Sequence, residues 1–135
     1  MILVDTCVLL DVVQDDPHWG DWSQARLEHA LGHGGLAINP VIYAEFSVWY
    51  DDMVLLEQTL TDFGVAFEEL PHEALFLAGK AFRQYRARRG TRSSVLPDFF
   101  IGAHAAVREM PILTRDTTRF RAYFPGVALL APREP

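Results

Sequence analysis

One cysteine, Cys7, occurs in the 135 residues. No intrachain disulfide can form, so a disulfide-stapled secreted scaffold is excluded and a reducing cytoplasm is the expected compartment. Long apolar runs are missing too, since none approaches the roughly 20 residues needed to span a bilayer. Met1-Ile-Leu-Val is followed at once by Asp5, without the basic leader or extended apolar stretch of a secretory signal. A soluble protein with no membrane role is expected. Repeats, low-complexity blocks and Pro/Gly-rich linkers are also lacking, which points to one domain over residues 1–135. Basic side chains are scarce in the first half. Residues 1–73 hold 14 acidic residues against the single base Arg26, and residues 74–135 hold 11 bases against four acids. The halves carry −13 and +7, which sum to the net charge of −6. That net charge alone disfavours a polyanionic partner, but the asymmetry suggests two electrostatic surfaces with different jobs.

What is present is a hydrophobic content of 50%, ample for a buried core. Five short runs rich in branched residues, at 2–4, 35–38, 65–68, 112–113 and 127–130, are bounded by Gly, Pro or charge and read as buried strands. Helical periodicity marks residues 21–33, 40–63, 73–89 and 97–109, and a short helix is expected over 117–123. Asn39 suits the N-cap of the second of these, Pro40 its first position and Gly64 its stop. The segment 90–94 reads as a loop. Alternation of strands and helices predicts an α/β fold, a mostly parallel sheet covered by helices on both faces.

Open parallel sheets bind ligands beyond the carboxyl ends of their strands, so acidic residues at those ends matter most. Asp5 directly follows the first strand. Asp116 follows Ile112-Leu-Thr-Arg in the same way. Asp98 opens the helix that runs through Phe99-Phe-Ile-Gly-Ala-His, and Glu45 sits in the first two turns of the helix begun at Pro40. Each has a plainer reading: Asp98 and Asp116 as helix-start residues, Asp5 as a turn residue. Glu45 resists that treatment, because Val41, Ile42, Ala44, Phe46 and Val48 surround it with apolar helix, and buried glutamates are usually paired.

Two unit charges about 5 Å apart at an effective dielectric of about 20 repel by roughly 3 kcal/mol. Four convergent carboxylates therefore require protonation or a cation. With oxygen donors only, and no Cys or His at ligand spacing, the set suits Mg²⁺ or Mn²⁺ over Zn²⁺. Such ions bind phosphate oxygens, which points to phosphodiester hydrolysis by a metal-activated water attacking in line. Thr6 and Thr114 stand beside Asp5 and Asp116 and can orient them, or simply stabilise turns.

The segments Ile2-Leu-Val-Asp5-Thr6, Pro40-Val-Ile-Tyr-Ala-Glu45-Phe-Ser, Leu96-Pro97-Asp98-Phe-Phe-Ile-Gly-Ala-His104-Ala and Leu113-Thr114-Arg115-Asp116 resemble the four acidic motifs of the PIN domain. Within that family the chain is most similar to VapC-type ribonuclease toxins of bacterial toxin–antitoxin pairs. The resemblance spans nearly the whole chain and is most specific around Asp98. It implies a three-layer α/β/α fold with strand order 3-2-1-4-5. It implies catalysis by Asp5, Glu45, Asp98 and Asp116, with Asp5, Asp98 and Asp116 holding Mg²⁺ or Mn²⁺, and endonucleolytic RNA cleavage. It further implies a homodimer and a small cognate antitoxin that covers the site. Many relatives carry Asn after Asp-Thr, where this chain has Cys7; with the acids intact, the departure bears on local packing or on the hydrogen bonds that support the acids, more than on activity.

Between Glu73 and Asp98 no acid occurs, while Lys80, Arg83, Arg86, Arg88, Arg89 and Arg92 fall within 13 positions. Ordinary exposed faces mix signs. Arg86, Arg89 and Arg92, with Arg115 beside Asp116, are the candidate phosphate contacts; a solvated helix face that complements its dipole, or an acidic stretch of the antitoxin, would also account for the run. Trp19, Trp22, Trp49 and Tyr50 can stack bases, but core or dimer packing is expected of Trp49 and Phe46 at helical spacing. His104 is expected to pack on its Ala-rich helix, and Asp11 to support the site from behind. The competing class of function is a non-catalytic nucleic-acid or protein-binding module on the same fold. A DNA nuclease would need gripping elements for which the chain is short, and a phosphotransfer receiver would need a strand-end Lys that is absent.

Overall fold

The computed structural model describes residues 1–92 and 95–133. Ser93 and Ser94 of the expected 90–94 loop lie outside the described residues. Five strands, β1 (Ile2–Val4), β2 (Leu36–Ile38), β3 (Val65–Phe67), β4 (Ile112–Leu113) and β5 (Leu129–Leu130), form one sheet in the order β3-β2-β1-β4-β5. Every pairing is parallel. All five expected strands and their order are therefore present. The central strands β1 and β2 bury every residue, as strands covered by helices on both faces must, whereas the edge strands β3 and β5 are partly exposed.

The helices among the described residues are α1 (Thr6–Val13), α2 (Gly20–Leu31), α3 (Pro40–Ser47), α4 (Met53–Phe63), α5 (His72–Ala87), α6 (Leu96–Arg108) and α7 (Thr118–Tyr123). Helix α1 went unmarked in the sequence pattern. Its sequence, TCVLLDVV, is apolar on nearly every side and offers no polar stripe to set a helical period. The run 40–63 is two helices rather than one. Ser47 Oγ donates back to the carbonyl of Ala44 at 2.7 Å at the end of α3, and Asp52 restarts the chain by accepting the Val54 N–H at 2.9 Å. Both side chains satisfy backbone groups that a continuous helix would claim. The expected signals at the outer ends hold: Asn39 Oδ1 caps α3 by accepting the Ile42 N–H, and Gly64 ends α4 at φ +73°, a left-handed conformation that favours glycine.

Two features place the helices that carry the site. Phe99 of α6 is fully buried within rings from Phe82, Tyr85, Tyr123 and Phe124, fixing α6 between α5 and α7. Gly102, one turn on, lets α6 approach Phe124, since a Cβ there would fall on the Phe124 ring. From β1 the chain builds outward to β2 and β3, then crosses back to add β4 and β5. The order thus reverses between β1 and β4, the place where open parallel sheets leave a crevice at their carboxyl ends.

Candidate active site

The register Val4↔Leu113 aligns the ends of β1 and β4, and the Asp5 N–H continues the ladder to the carbonyl of Leu113 at 3.0 Å. Asp5 and Thr114, the next residues along, consequently meet. Thr114 Oγ1 donates to Asp5 Oδ2 at 2.7 Å, and the Thr6 N–H donates to Asp5 Oδ1 at 2.9 Å. Asp5 is 7% exposed, and burial raises its pKa above the ordinary carboxylate range against the lowering effect of these donors. The Asp116 N–H donates to Thr114 Oγ1 at 3.0 Å, so one hydroxyl organises both strand-end aspartates.

Glu45 enters from α3, whose start follows β2. Its Oε1 accepts the Thr6 hydroxyl at 2.8 Å, and its pKa is raised, first by burial and then by Asp5. Asp98, in the first turn of α6, completes the group. Burial, followed by the charges of Asp5, Asp116 and Glu45, pushes its pKa up to about 7, against a lowering pull from Arg119. The four acids that the sequence singles out line one pocket of about 270 Å³ together with Thr6, Cys7 and Trp49. Asp5 is deepest, Glu45 and Asp98 are half-buried, and Asp116 stands exposed at the rim.

The donor set fits a hard divalent cation. It is carboxylate oxygen crowded enough to hold a proton near neutral pH, and the one nearby sulfur, Cys7 Sγ, is 3.7 Å from Asp5 Oδ2 with its thiol pKa pushed up to about 12, chiefly by burial. Among the described residues, no three His, Cys, Asp or Glu side chains converge closely enough to cage an ion on their own. An ion that keeps several waters and takes one or two carboxylates, as Mg²⁺ does, suits this arrangement.

The basic candidates divide. Arg115 is committed within the fold: its Nε and Nη2 each donate at 2.9 Å to the two oxygens of Asp11, which is 2% exposed and also accepts the Ser23 hydroxyl at 2.8 Å. Asp11 thus backs the site through Arg115, tying α1 and α2 to the residue preceding Asp116. Arg86, Arg89 and Arg92 are exposed and do not line the pocket. The Arg92 N–H donates to the Tyr85 hydroxyl at 3.1 Å, which anchors Arg92 to α5. Of the two residues expected in core or dimer packing, Phe46 is fully buried, whereas Trp49 is 61% exposed at the pocket mouth, outside the core, because the chain leaves α3 just before it.

Arg119 is not marked by the sequence pattern, and His104 is marked there only for packing. Arg119 of α7 places Nε 3.9 Å from Asp98 Oδ2, a pairing across sequence that no spacing rule reveals. His104 is fully buried, as expected of its helix, but it also carries a specific link: its Nδ1 lies 3.1 Å from Asn39 Nδ2. Asn39 Oδ1 is already engaged by the Ile42 N–H, so the amide nitrogen faces the ring and the imidazole proton belongs on Nε2, which points toward Glu68 Oε2 at 3.5 Å. This link joins the start of α3, bearing Glu45, to α6, bearing Asp98.

Solved structures share this architecture. The chain is similar to VapBC2 from Rickettsia felis, in a crystal structure bound to a DNA fragment from the promoter, at a TM-score of 0.75 and 16% identity, covering 98% of this chain and 100% of that one. A toxin–antitoxin complex from Klebsiella pneumoniae matches at 0.71 and 20% identity over the whole of both chains. FitAcB from Neisseria gonorrhoeae matches at 0.69 and 22% identity over 96% of each. No curated protein matches the sequence. The PIN domain family model matches residues 2–124, which include all four pocket acids. The chain belongs to the PIN domain family.

Proposed function

We propose that this chain is a Mg²⁺- or Mn²⁺-dependent endoribonuclease that acts as the toxin of a toxin–antitoxin pair. The observation that carries the proposal is the convergence of Asp5, Glu45, Asp98 and Asp116 on one pocket at the sheet's switch point. Four carboxylates lining one pocket repel one another unless they take up protons or a cation, and a divalent cation there suits phosphodiester hydrolysis.

Asp5, Asp98 and Asp116 are the residues that would hold the ion, one or two of them directly and the rest through its waters. When bound, it supplies positive charge to phosphate oxygens and acidifies water for attack on phosphorus. The chain's own groups prepare the site. Thr114 and the Thr6 N–H fix both oxygens of Asp5, and the Thr6 hydroxyl fixes Glu45. Arg115, held by Asp11, sets the loop on which Asp116 stands. Arg86, Arg89 and Arg92 form an exposed positive surface suited to flanking phosphates.

The antitoxin partner and a homodimer belong to the same proposal. Val48, Trp49, Met53, Val54 and Leu55 are exposed around the break between α3 and α4, beside the pocket mouth, and large apolar side chains grouped this way suit a protein partner. The similar structures from Klebsiella pneumoniae and Rickettsia felis, a toxin–antitoxin complex and VapBC2, support this assignment.

The experiment is cleavage of a mixed cellular RNA by the purified chain with Mn²⁺, with EDTA, and with Asp98→Asn. Cleavage that requires both the ion and Asp98 is expected. Tight RNA binding without turnover would instead support the binding-module alternative.

A further inference from the structure

Arg119 is the one basic side chain in contact with a pocket acid among the described ion pairs, and its contact is incomplete. Nε stands 3.9 Å from Asp98 Oδ2, beyond hydrogen-bond reach, and this buried N–H finds no acceptor. The guanidinium carbon is 5.8 Å from the centre of the Tyr85 ring, a face held in turn by Phe82, Phe99 and Tyr123. The other arginine near the site, Arg115, is paired bidentately with Asp11. Arg119 is thus a fixed positive charge against the acidic cluster, with hydrogen-bonding capacity left unused.

We propose that Arg119 is the internal counter-ion of the acidic pocket: it competes with a divalent cation for Asp98, and once displaced it turns its guanidinium to the substrate phosphate. The inference rests on the metal-dependent nuclease reading above. Its physical basis is substitution of one positive charge for another. Asp98 faces Asp5, Glu45 and Asp116, and Arg119 offsets part of that repulsion in the cation-free protein. A divalent ion does so more completely, which frees a planar, bidentate donor beside the place where a phosphate would arrive. The Tyr85 face supports the guanidinium stem in either arrangement.

The inference predicts effects of opposite sign, which a merely structural residue would not produce. Arg119→Met keeps a long stem against Tyr85 and removes the charge. Calorimetric titration of the RNA-free protein with Mn²⁺ is expected to show binding about 5- to 10-fold tighter than in the unaltered chain. In the same variant kcat/KM for RNA is expected to fall about 10-fold or more, with a plot of log kcat/KM against log salt shallower by roughly 0.7–0.9, the loss of one phosphate contact. Arg119→Lys, which retains the charge, should leave Mn²⁺ affinity near the original. Arg119→Gln serves the same titration should the methionine variant fold poorly. Unchanged or weaker Mn²⁺ binding by folded Arg119→Met or Arg119→Gln, with the original chain binding Mn²⁺ and cleaving RNA, overturns the inference alone. Failure of the original chain to bind Mn²⁺ or cleave RNA overturns the functional reading and this inference together.

Discussion

Asp5 and Thr114 are 109 positions apart in the chain and 2.7 Å apart in the fold, joined by a hydroxyl-to-carboxylate hydrogen bond at the adjoining ends of β1 and β4. The sheet register creates this contact, and the same hydroxyl accepts the Asp116 N–H. Thr114→Val keeps the shape of the side chain and removes the donor from a buried carboxylate. The expected result is a loss of roughly 1–3 kcal/mol in stability by urea denaturation, and Mn²⁺ affinity lower by about 10- to 100-fold by calorimetry.

Asp98 carries the pH dependence. Its pKa in the fold is about 7, against an ordinary value of 3.8, with burial as the main cause and the other three acids next. A raised carboxyl pKa means that the folded state binds the proton more tightly than the unfolded chain. Below about pH 4 both states are protonated and there is no penalty. Between about pH 4 and 7 the unfolded chain ionises first, so folding stability falls as pH rises, and above about pH 7 the full penalty is present. Asp5 and Glu45, also raised, act in the same direction. Denaturation midpoints measured in EDTA from pH 4 to 8 should show this contribution fall with pH, and Asp98→Asn should flatten it. Saturating Mg²⁺ should flatten it as well, and Mg²⁺ binding should weaken below pH 7 as protons compete.

The Asn39–His104 link is expected to matter beyond packing, because it joins the helices that bear Glu45 and Asp98. His104→Leu fills the volume but leaves the buried Asn39 amide without its acceptor. A destabilisation of about 1–3 kcal/mol is expected, read by chemical denaturation. Cleavage should fall further than stability alone explains when assayed well below the melting temperature.

Arg115 is a candidate phosphate contact, and its bidentate pairing with Asp11 gives it a structural task in the fold. Arg115→Met leaves Asp11 buried with only Ser23 for company, and a loss of about 3 kcal/mol is expected. The double variant Asp11→Leu with Arg115→Met should recover most of it, since no uncompensated charge remains. Stability recovered without recovery of KM for RNA would show that Arg115 also meets the substrate.

The strand–helix alternation and the four acids are legible in the sequence because both rest on local signals, whereas the strand order follows from the PIN resemblance. Short branched runs bounded by turns mark strands buried on both faces, and an acid directly after such a run must stand at the sheet's carboxyl edge. The rest depends on pairings across the chain or on competition between local signals. Helix α1 lacks a polar stripe, and the 40–63 run concealed the back-bonding of Ser47 and the cap at Asp52. The destination of each arginine depended on register and ring packing. Arg115 went to Asp11, and Arg119, not singled out by the local basic run, went to Asp98. Charge counted along the chain located the positive surface but not the single guanidinium that reaches the acids.

Whether the pocket acids hold a divalent ion for RNA hydrolysis is read by single-turnover cleavage of a defined RNA across a Mn²⁺ titration, comparing the original chain with folded Asp98→Asn. The expected result is cleavage that saturates with Mn²⁺, disappears in EDTA, and falls by about 100-fold or more in the variant. Cleavage that persists undiminished in folded Asp98→Asn, or that proceeds at the same rate in EDTA, would contradict it.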